Sequence, residues 1–156
     1  MPLVRFLVLA AVILSASTVW SKPPNIVLIL ADDLGWHDVG YHGSEIRTPR
    51  LDELSSQGLV LDRFYAQSAC SLTRAALMTG RAPLRLGVHG PISKHIRTGL
   101  PKTETTMADL LKAAGYQTAL AGKWHLGMRN DFHPNQRGFD YFYGHVTGGI
   151  GYWDHV

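Results

Sequence analysis

The sequence predicts an α/β fold in which helices flank a largely parallel β-sheet. Continuous apolar runs rich in Ile, Val and Leu are typical of strands that are buried on both faces of such a sheet. These runs alternate with segments that carry helix caps and end at glycine. Of the 156 residues, 46% are apolar and 17% are charged, so the chain can bury a core and is not a disordered tail.

The first half of the chain supplies two predicted strands and one helix. Asn25–Ala31 (NIVLILA) is an apolar run predicted to be a buried strand. Thr48 and Pro49 provide a cap and a first-turn proline, and Gly58 provides a stop, so a short helix is predicted between them. Leu59–Ala66 is predicted to return to the sheet as a second strand.

The second half continues the alternation. Ser71–Thr79 is predicted to be a helix, and Thr106 with Asp109 forms a capping box that starts another. Tyr116–Ala121 (YQTALA) is the third predicted strand. Because sheets usually hold roughly five or six strands, we expect residues 22–156 to be the N-terminal portion of a larger, truncated domain.

Residues 1–21 are expected to be an export signal peptide. Arg5 precedes the apolar run Phe6–Leu14, and Val19 and Ser21 are small residues that suit a cleavage site. The apolar run is shorter than the about 20 residues that span a bilayer, so no stable membrane anchor is expected. The signal predicts a protein of the secretory pathway, lysosomal or extracellular, or periplasmic in a bacterium.

Charge and cysteine content exclude several functions. The formal net charge is only +3 and the basic residues are dispersed, so no nucleic-acid partner is expected. The single cysteine, Cys70, excludes an internal disulfide framework and a cysteine-rich zinc site. An unpaired cysteine is unusual in an exported protein, which draws attention to Cys70.

Asp32 and Asp33 directly follow the first predicted strand. Ligands collect at the carboxyl ends of strands in open α/β sheets, and adjacent carboxylates can supply hard oxygen ligands to Mg²⁺ or Ca²⁺. A bare Asp-Asp pair is more often a solvated turn or a helix cap. Two carboxylates are also too few for a complete metal site.

Cys70 and Arg74 lie one helical turn apart at the start of a predicted helix. A helix N-terminus stabilises negative charge on a sulfur atom, and the guanidinium of Arg74 suits an anionic tetrahedral group near Cys70. The alternative is a structural cysteine in a helix that packs through its apolar side chains. Periodicity alone favours that alternative.

Lys123 and His125 follow the third predicted strand in the segment GKWHLG. In an extended segment these two side chains project to the same side, which puts a fixed positive charge beside a group that donates or accepts a proton. The alternative is an exposed loop, because a single Lys-x-His pattern is weak evidence of a site.

Together these clusters lie within segments that resemble sulfatases of the arylsulfatase type, in the alkaline-phosphatase-like superfamily. The segments are PNIVLILADDLGWHDVGYHG, TPRLDELSSQGLVLDRFYAQSACSLTRAALMTGR and GYQTALAGKWHLG, followed by QRGFDYFYG. The resemblance runs from about Pro24 to Tyr152. It implies the α/β fold of that superfamily and hydrolysis of sulfate esters, with an aryl sulfate or a sulfated sugar as substrate.

The resemblance also implies two cofactors. Cys70 would be oxidised after translation to formylglycine, and the formylglycine-generating enzyme would be the partner during maturation. Asp32, Asp33 and the modified Cys70 would bind a divalent cation, Ca²⁺ or Mg²⁺. This reading accounts for an exported, unpaired cysteine.

The remaining implied roles concern the substrate. Arg74 would hold the formylglycine in place, Lys123 would bind the sulfate, and His125 would hydrogen-bond the hydrated aldehyde. One hydroxyl of that hydrate can attack sulfur, and the other can then expel sulfate as the carbonyl reforms. A serine could perform only the first of these steps.

Two departures from the family pattern leave alternatives open. Leu72 stands where the family signature Cys-x-Pro-x-Arg has proline. The family's other metal ligands, a histidine that assists the leaving group and a second lysine would lie beyond Val156. A catalytically inactive short fragment is therefore one alternative. A related phosphatase or phosphonate hydrolase is another, although such enzymes place Ser or Thr where this chain has Cys70.

Overall fold

A computed structural model of the chain describes residues 22–93, 95 and 97–154. The chain divides into two compact units, the first ending at Leu34 and the second beginning at Gly35. The predicted signal peptide, residues 1–21, lies outside the described residues. Among the residues that are described, no helix has the length and apolar character needed to cross a membrane.

The three predicted helices are confirmed. Helix α1 spans Pro49–Gln57, α2 spans Cys70–Thr79 and α3 spans Met107–Ala113. Proline occupies the first turn of α1, and the N–H of Gly58 donates to the carbonyl oxygen of Leu54 where that helix ends. Helix α2 begins one residue earlier than predicted. The predicted cap at Thr48 makes no side-chain cap hydrogen bond, so Pro49 and Gly58 are the signals that located α1. These signals, like the capping box of α3, are local in the sequence.

Two of the three predicted strands are wrong. Asn25–Ala31 and Leu59–Ala66 belong to no strand, and most of their apolar side chains are exposed; Val27 and Leu59 retain 84% and 86% of their accessible surface. An apolar run becomes a strand only when a neighbouring strand supplies ladder hydrogen bonds. Within the described ranges neither segment has such a neighbour.

The sheet consists of two parallel strands, β1 (Ala119–Lys123) and β2 (Tyr141–His145). The third predicted strand, Tyr116–Ala121, overlaps β1 but starts three residues before it. The register pairs each residue of β1 with the residue 22 positions later. Lys123 and His145, the last residues of the two strands, therefore lie side by side. A parallel pair with flanking helices confirms the predicted fold class in partial form.

Gly122 and Gly144 are register partners in this sheet. Both have positive φ angles, 116° and 151°, and a Cβ atom built on Gly144 would collide with the carbonyl of Gly122. Two glycines therefore allow the backbones of β1 and β2 to approach closely just before both strands end.

The core of the second unit lies between α2, α3 and the segment that follows β1. Helix α2 contributes Leu72, Ala75 and Met78, which are at most 8% exposed. The indole of Trp124 packs edge-on against Phe139, with ring centroids 6.1 Å apart. The other buried apolar residues of this core cluster are Leu86, Val88, Ile92, Leu100, Ala108 and Leu126.

Thr106 caps α3 and joins it to the rest of the core. Its Oγ1 accepts a hydrogen bond from the N–H of Asp109 at 3.1 Å, and the Asp109 carboxylate accepts one from the N–H of Thr106 at 2.8 Å. This reciprocal pair is the predicted capping box. The Thr106 hydroxyl also lies 2.9 Å from the carbonyl oxygen of Arg137, to which it donates. Thr106 is fully buried, so its hydroxyl is shielded from water.

Buried Arg137 holds the irregular segment before α3. Its guanidinium donates to the carbonyl oxygens of Leu100 at 2.9 Å, Pro101 at 3.2 Å and Glu104 at 2.9 Å. Loss of water around the guanidinium lowers the pKa of Arg137, while the charges of Asp109 and Glu104 oppose that shift. One side chain thus satisfies several carbonyl groups that no helix or strand pairs.

Replacement of Thr106 tests the cap. Thr106→Ala should lower the free energy of unfolding by about 1–2 kcal/mol, because it removes the acceptor for the Asp109 N–H. The neighbouring exposed Thr105 provides the matched control. Thr105→Ala should change the free energy of unfolding by less than about 0.5 kcal/mol. Urea unfolding followed by circular dichroism measures both; equal losses in the two variants would contradict the assignment.

Acid titration tests the contact that fixes the start of β2. The pKa of Asp140 is lowered to about 2, first by the hydrogen bond from Lys112 and then by the backbone N–H of Thr118. Because the folded pKa lies below the unfolded one, the stabilisation is present above about pH 4 and is lost as the pH falls towards 2. NMR titration of the side-chain carboxyl should show this value.

The matched controls are two lysine substitutions. Lys112→Met should raise the pKa of Asp140, whereas Lys102→Met should leave it unchanged because Lys102 pairs with Asp131 instead. An Asp140 carboxyl that titrates in the ordinary range in the unaltered protein would contradict the contact.

Candidate active site

The candidate site lies where α2 begins and β1 ends. Cys70 is the first residue of α2 and is half-buried. His125 follows β1 by two residues and is only 5% exposed. The Cys70 Sγ and the His125 Nδ1 are 3.0 Å apart, within hydrogen-bonding distance. Two clusters that the sequence placed on separate elements therefore form one site.

The hydrogen bond made by the second ring nitrogen fixes the tautomer of His125. Nε2 lies 3.1 Å from the backbone carbonyl oxygen of Ile92. Because a carbonyl oxygen only accepts, Nε2 carries a proton and donates it to Ile92. In the neutral ring, Nδ1 is then the acceptor, and the thiol of Cys70 donates to it. The imidazole is thus held in the tautomer that can take a proton from the side chain at position 70.

Ser71, at the start of α2, bonds to the backbone of both His125 and Ile92. Its Oγ donates to the carbonyl oxygen of His125 at 2.9 Å and accepts from the N–H of Ile92 at 3.0 Å. The Ser71 side chain is fully buried, so both bonds are shielded from water. Sequence reasoning missed Ser71 and Ile92. Ser71 occupies an unremarkable position in the helix, and Ile92 acts through backbone groups that every residue has.

The backbone of His125 has an unusual conformation. Its φ of 58° lies in the left-handed region, which non-glycine residues rarely adopt. The N–H of His125 donates to the carbonyl oxygen of Val146 at 3.3 Å, and the N–H of Trp124 donates to His145 at 2.9 Å. The Trp124 indole N–H also donates to Phe132 at 2.8 Å. These bonds hold His125 in a conformation of the kind that clusters at functional sites.

Arg74 and Lys123 contact each other at this site. Arg74 is buried in α2, one turn beyond Cys70, and its guanidinium donates to the backbone carbonyl oxygen of Lys123 at 2.5 Å. Lys123 is the last residue of β1 and is half-buried. The sequence placed Arg74 near Cys70, and the structure adds a contact with the end of β1.

Asp32 and Asp33 belong to the other compact unit, which ends at Leu34. Both are exposed, and Asp33 has a positive φ of 59°. Among the residues described, no group of three or more His, Cys, Asp or Glu side chains could hold a metal ion. Ca²⁺ takes six to eight oxygen ligands, so this pair of carboxylates fits part of a coordination sphere and does not complete one.

The arrangement around Cys70 suits covalent catalysis. A nucleophile at position 70 has a base within hydrogen-bonding distance, and the base is in turn oriented by the Ile92 carbonyl. The first backbone N–H groups of α2 have no partner within the helix and favour an anion at this end. Arg74 in α2 and Lys123 at the end of β1 are cationic residues on the same two elements. This combination suits an anionic substrate that is attacked by the side chain at position 70.

Comparison with known proteins identifies the family. The family model for the sulfatases, described as Sulfatase, matches residues 24–156. Arylsulfatase G of Mus musculus is 50% identical over 123 residues, which are 78% of this chain and 23% of that protein. N-acetylgalactosamine-6-sulfatase of Homo sapiens is 45% identical over 134 residues, which cover 79% of this chain and 26% of that protein. The chain thus spans about a quarter of the length of these relatives.

The solved structures agree with these matches. A crystal structure of Ps i-CgsB in complex with k-i-k-neocarrahexaose is 41% identical to this chain and superposes with a TM-score of 0.81. The match covers 84% of this chain and 30% of that one. The family model over residues 24–156, the sequence matches and the superposed fold lead to one conclusion: the chain belongs to the sulfatase family.

Proposed function

We propose that this chain carries the nucleophile-bearing part of a sulfate ester hydrolase, with formylglycine made from Cys70. The observation that carries the proposal is the 3.0 Å contact between Cys70 Sγ and His125 Nδ1 at the N-terminus of α2. A buried structural cysteine would pack among apolar side chains. This one is half-buried beside an oriented imidazole, with cationic residues on the same two elements.

His125 serves the nucleophile in this proposal. Formylglycine at position 70 would, when hydrated, offer two hydroxyls on one carbon, one for attack on sulfur and one for release of sulfate. The Nδ1 of His125 accepts a hydrogen bond from the group at position 70, and it can hold the proton that this group gives up. The Nε2–H bond to Ile92 keeps Nδ1 available as the acceptor until it takes up that proton.

Lys123 and Arg74 supply positive charge and position. Lys123 binds the sulfate group, so its ammonium offsets the negative charge that develops on the sulfuryl oxygens. Arg74 holds position 70 in place from one turn along α2. Its bond to the carbonyl oxygen of Lys123 also fixes the distance between the start of α2 and the end of β1. Positioned charges of this kind act without reorganisation during the reaction.

Asp32 and Asp33 are proposed ligands of Ca²⁺, or of Mg²⁺. The support is the chemistry of the donors, since carboxylate oxygens are hard ligands that suit both cations. The cation supplies charge neutralisation at the sulfuryl oxygens. The steps assigned to His125, Lys123 and Arg74 do not depend on it.

A sulfated sugar is the proposed substrate class, ahead of a simple aryl sulfate. Two of the relatives support this choice by their names, an N-acetylgalactosamine-6-sulfatase and a protein solved with a neocarrahexaose. Formylglycine-generating enzyme is the proposed maturation partner of Cys70. We further propose that residues 1–21 direct the chain into the secretory pathway, to a lysosomal or extracellular destination, or to the periplasm in a bacterium.

Mass spectrometry of position 70 tests the modification. When the chain is co-expressed with a formylglycine-generating enzyme in a secretory host, the tryptic peptide that ends at Arg74 should carry an aldehyde in place of the thiol. A hydrazide probe should label that peptide. Cys70→Ala should abolish both labelling and any sulfate release, whereas the far-UV circular dichroism spectrum should not change. Sulfate release at the normal rate from Cys70→Ala would refute the proposed nucleophile.

Leu72 provides a second test, because it occupies the place of the family's proline. The first N–H bond of α2 is donated by Thr73 to Ala69, so the N–H of Leu72 is not needed by the helix and proline is tolerated there. Proline also favours an extended conformation for Ser71, the form that the maturation enzyme reads. We expect Leu72→Pro to raise the fraction of aldehyde severalfold.

The matched control for this variant is Leu72→Ala. Both substitutions remove the buried leucine side chain and should lower stability by about 2–4 kcal/mol. Only the proline variant should raise aldehyde formation, as measured by the mass spectrum of the same peptide. An equal rise in the alanine variant would attribute the effect to loosened packing and contradict the role of the proline.

A further inference from the structure

We propose that Gly148 is a positioning residue for His125: the absence of a side chain at Gly148 provides the space that the imidazole needs to face Cys70. The catalytic meaning of this inference rests on the proposed function. The claim that a side chain at Gly148 would disturb the imidazole depends only on the contacts around the ring.

The contact is close and is made with the ring itself. A Cβ atom built on Gly148 would lie 2.7 Å from both Cε1 and Nε2 of His125, and 3.4 Å from Nδ1. Carbon atoms in favourable contact are separated by about 3.5–4.0 Å. Even a methyl group at Gly148 would therefore require the imidazole, or the turn that carries Gly148, to move by a large part of an ångström.

The imidazole cannot shift without losing a partner. Its two nitrogens are bonded to Cys70 on one side and to Ile92 on the other, and only 5% of the residue is exposed. The N–H of His125 bonds to Val146. Any displacement that admits a side chain at Gly148 must lengthen one of these bonds. The bond to Cys70 is the one that the proposed chemistry uses.

A small turn after β2 brings Gly148 to the ring. The Nδ1–H of His145 donates to the carbonyl oxygen of Thr147 at 3.0 Å, and the Thr147 hydroxyl donates to the carbonyl oxygen of Gly149 at 2.7 Å. Neither Gly148 nor Gly149 has a φ angle in the left-handed region. Alanine can thus adopt the backbone conformation at both positions, and a substitution at Gly148 tests the clash alone.

Gly149 is the matched control. It is the next residue of the same turn, and a Cβ atom built on it meets nothing within 4 Å. Gly149→Ala should therefore leave the ring, the fold and the reaction unchanged. Gly148→Ala should disturb the imidazole specifically.

Ring NMR of the full chain is the first experiment. In a long-range ¹⁵N–¹H spectrum, the His125 signals, assigned by their loss in His125→Gly, should show the Nε2–H tautomer in the unaltered protein and in Gly149→Ala. Gly148→Ala should shift both ring nitrogens and mix the tautomers. Identical ring spectra in the two alanine variants would overturn the inference.

A double-mutant cycle separates positioning from general damage. His125→Gly removes the ring and tolerates the φ of 58° at that position. Gly148→Ala should lower the midpoint of thermal unfolding by roughly 3–8 °C when His125 is present and by less than about 1 °C in the His125→Gly background. If Gly148→Ala alone fails to fold, folding of the double variant supports the inference. An equal loss in both backgrounds overturns it.

Activity connects the inference to the proposed reaction. With aldehyde-bearing protein that releases sulfate, Gly148→Ala should lower kcat about 100-fold and leave KM within about twofold, since a misplaced group acts on the chemical step. A normal kcat in this variant would overturn the positioning role. The ring spectra and the unfolding cycle need neither aldehyde nor sulfate ester, so their result stands even if the proposed function fails.

Discussion

The site depends on the bonds between the first turn of α2 and the residues that follow β1. Cys70 meets the ring of His125, Ser71 meets its carbonyl, and Arg74 meets the carbonyl of Lys123. Three side chains within one helical turn thus bond to two residues at the end of one strand. Because the side chains of Ser71 and Arg74 are buried, water does not compete for their bonds. The relative placement of the helix and the strand follows from these bonds.

The sequence predicted the helices well because their signals are local. Thr106 and Asp109 form the expected capping box, and Pro49 and Gly58 mark the ends of α1 as expected. Strands require partners that are distant in the sequence. The run Asn25–Ala31 has the composition of a buried strand and no neighbour among the described residues. Strand β2 was not predicted, because its glycine and aromatic residues show no clear alternation.

The candidate site was likewise predictable only in part from the sequence. Residue type and spacing singled out Cys70 and His125 separately and favoured structural alternatives, and only the family resemblance implied roles for both. The structure places the two side chains 3.0 Å apart, and their roles stay a proposal. Ile92 and Gly148 could not be found in this way. Ile92 contributes its backbone groups, and Gly148 contributes the space left by a missing side chain. Asp32 and Asp33 were singled out because they follow a predicted strand that does not form, and the family resemblance implied that they bind a cation. Their role as ligands stays a proposal.

The separation of Cys70 and His125 along the chain has a kinetic consequence. The two residues are 55 positions apart, so their contact closes a long loop. A ten-residue helix is marginal in water without tertiary packing, so the segment around Cys70 stays open until the loop closes, and the imidazole arrives only then. During that interval the Cys70 thiol is open to enzymes and oxidants. The rate of loop closure sets how long that interval lasts.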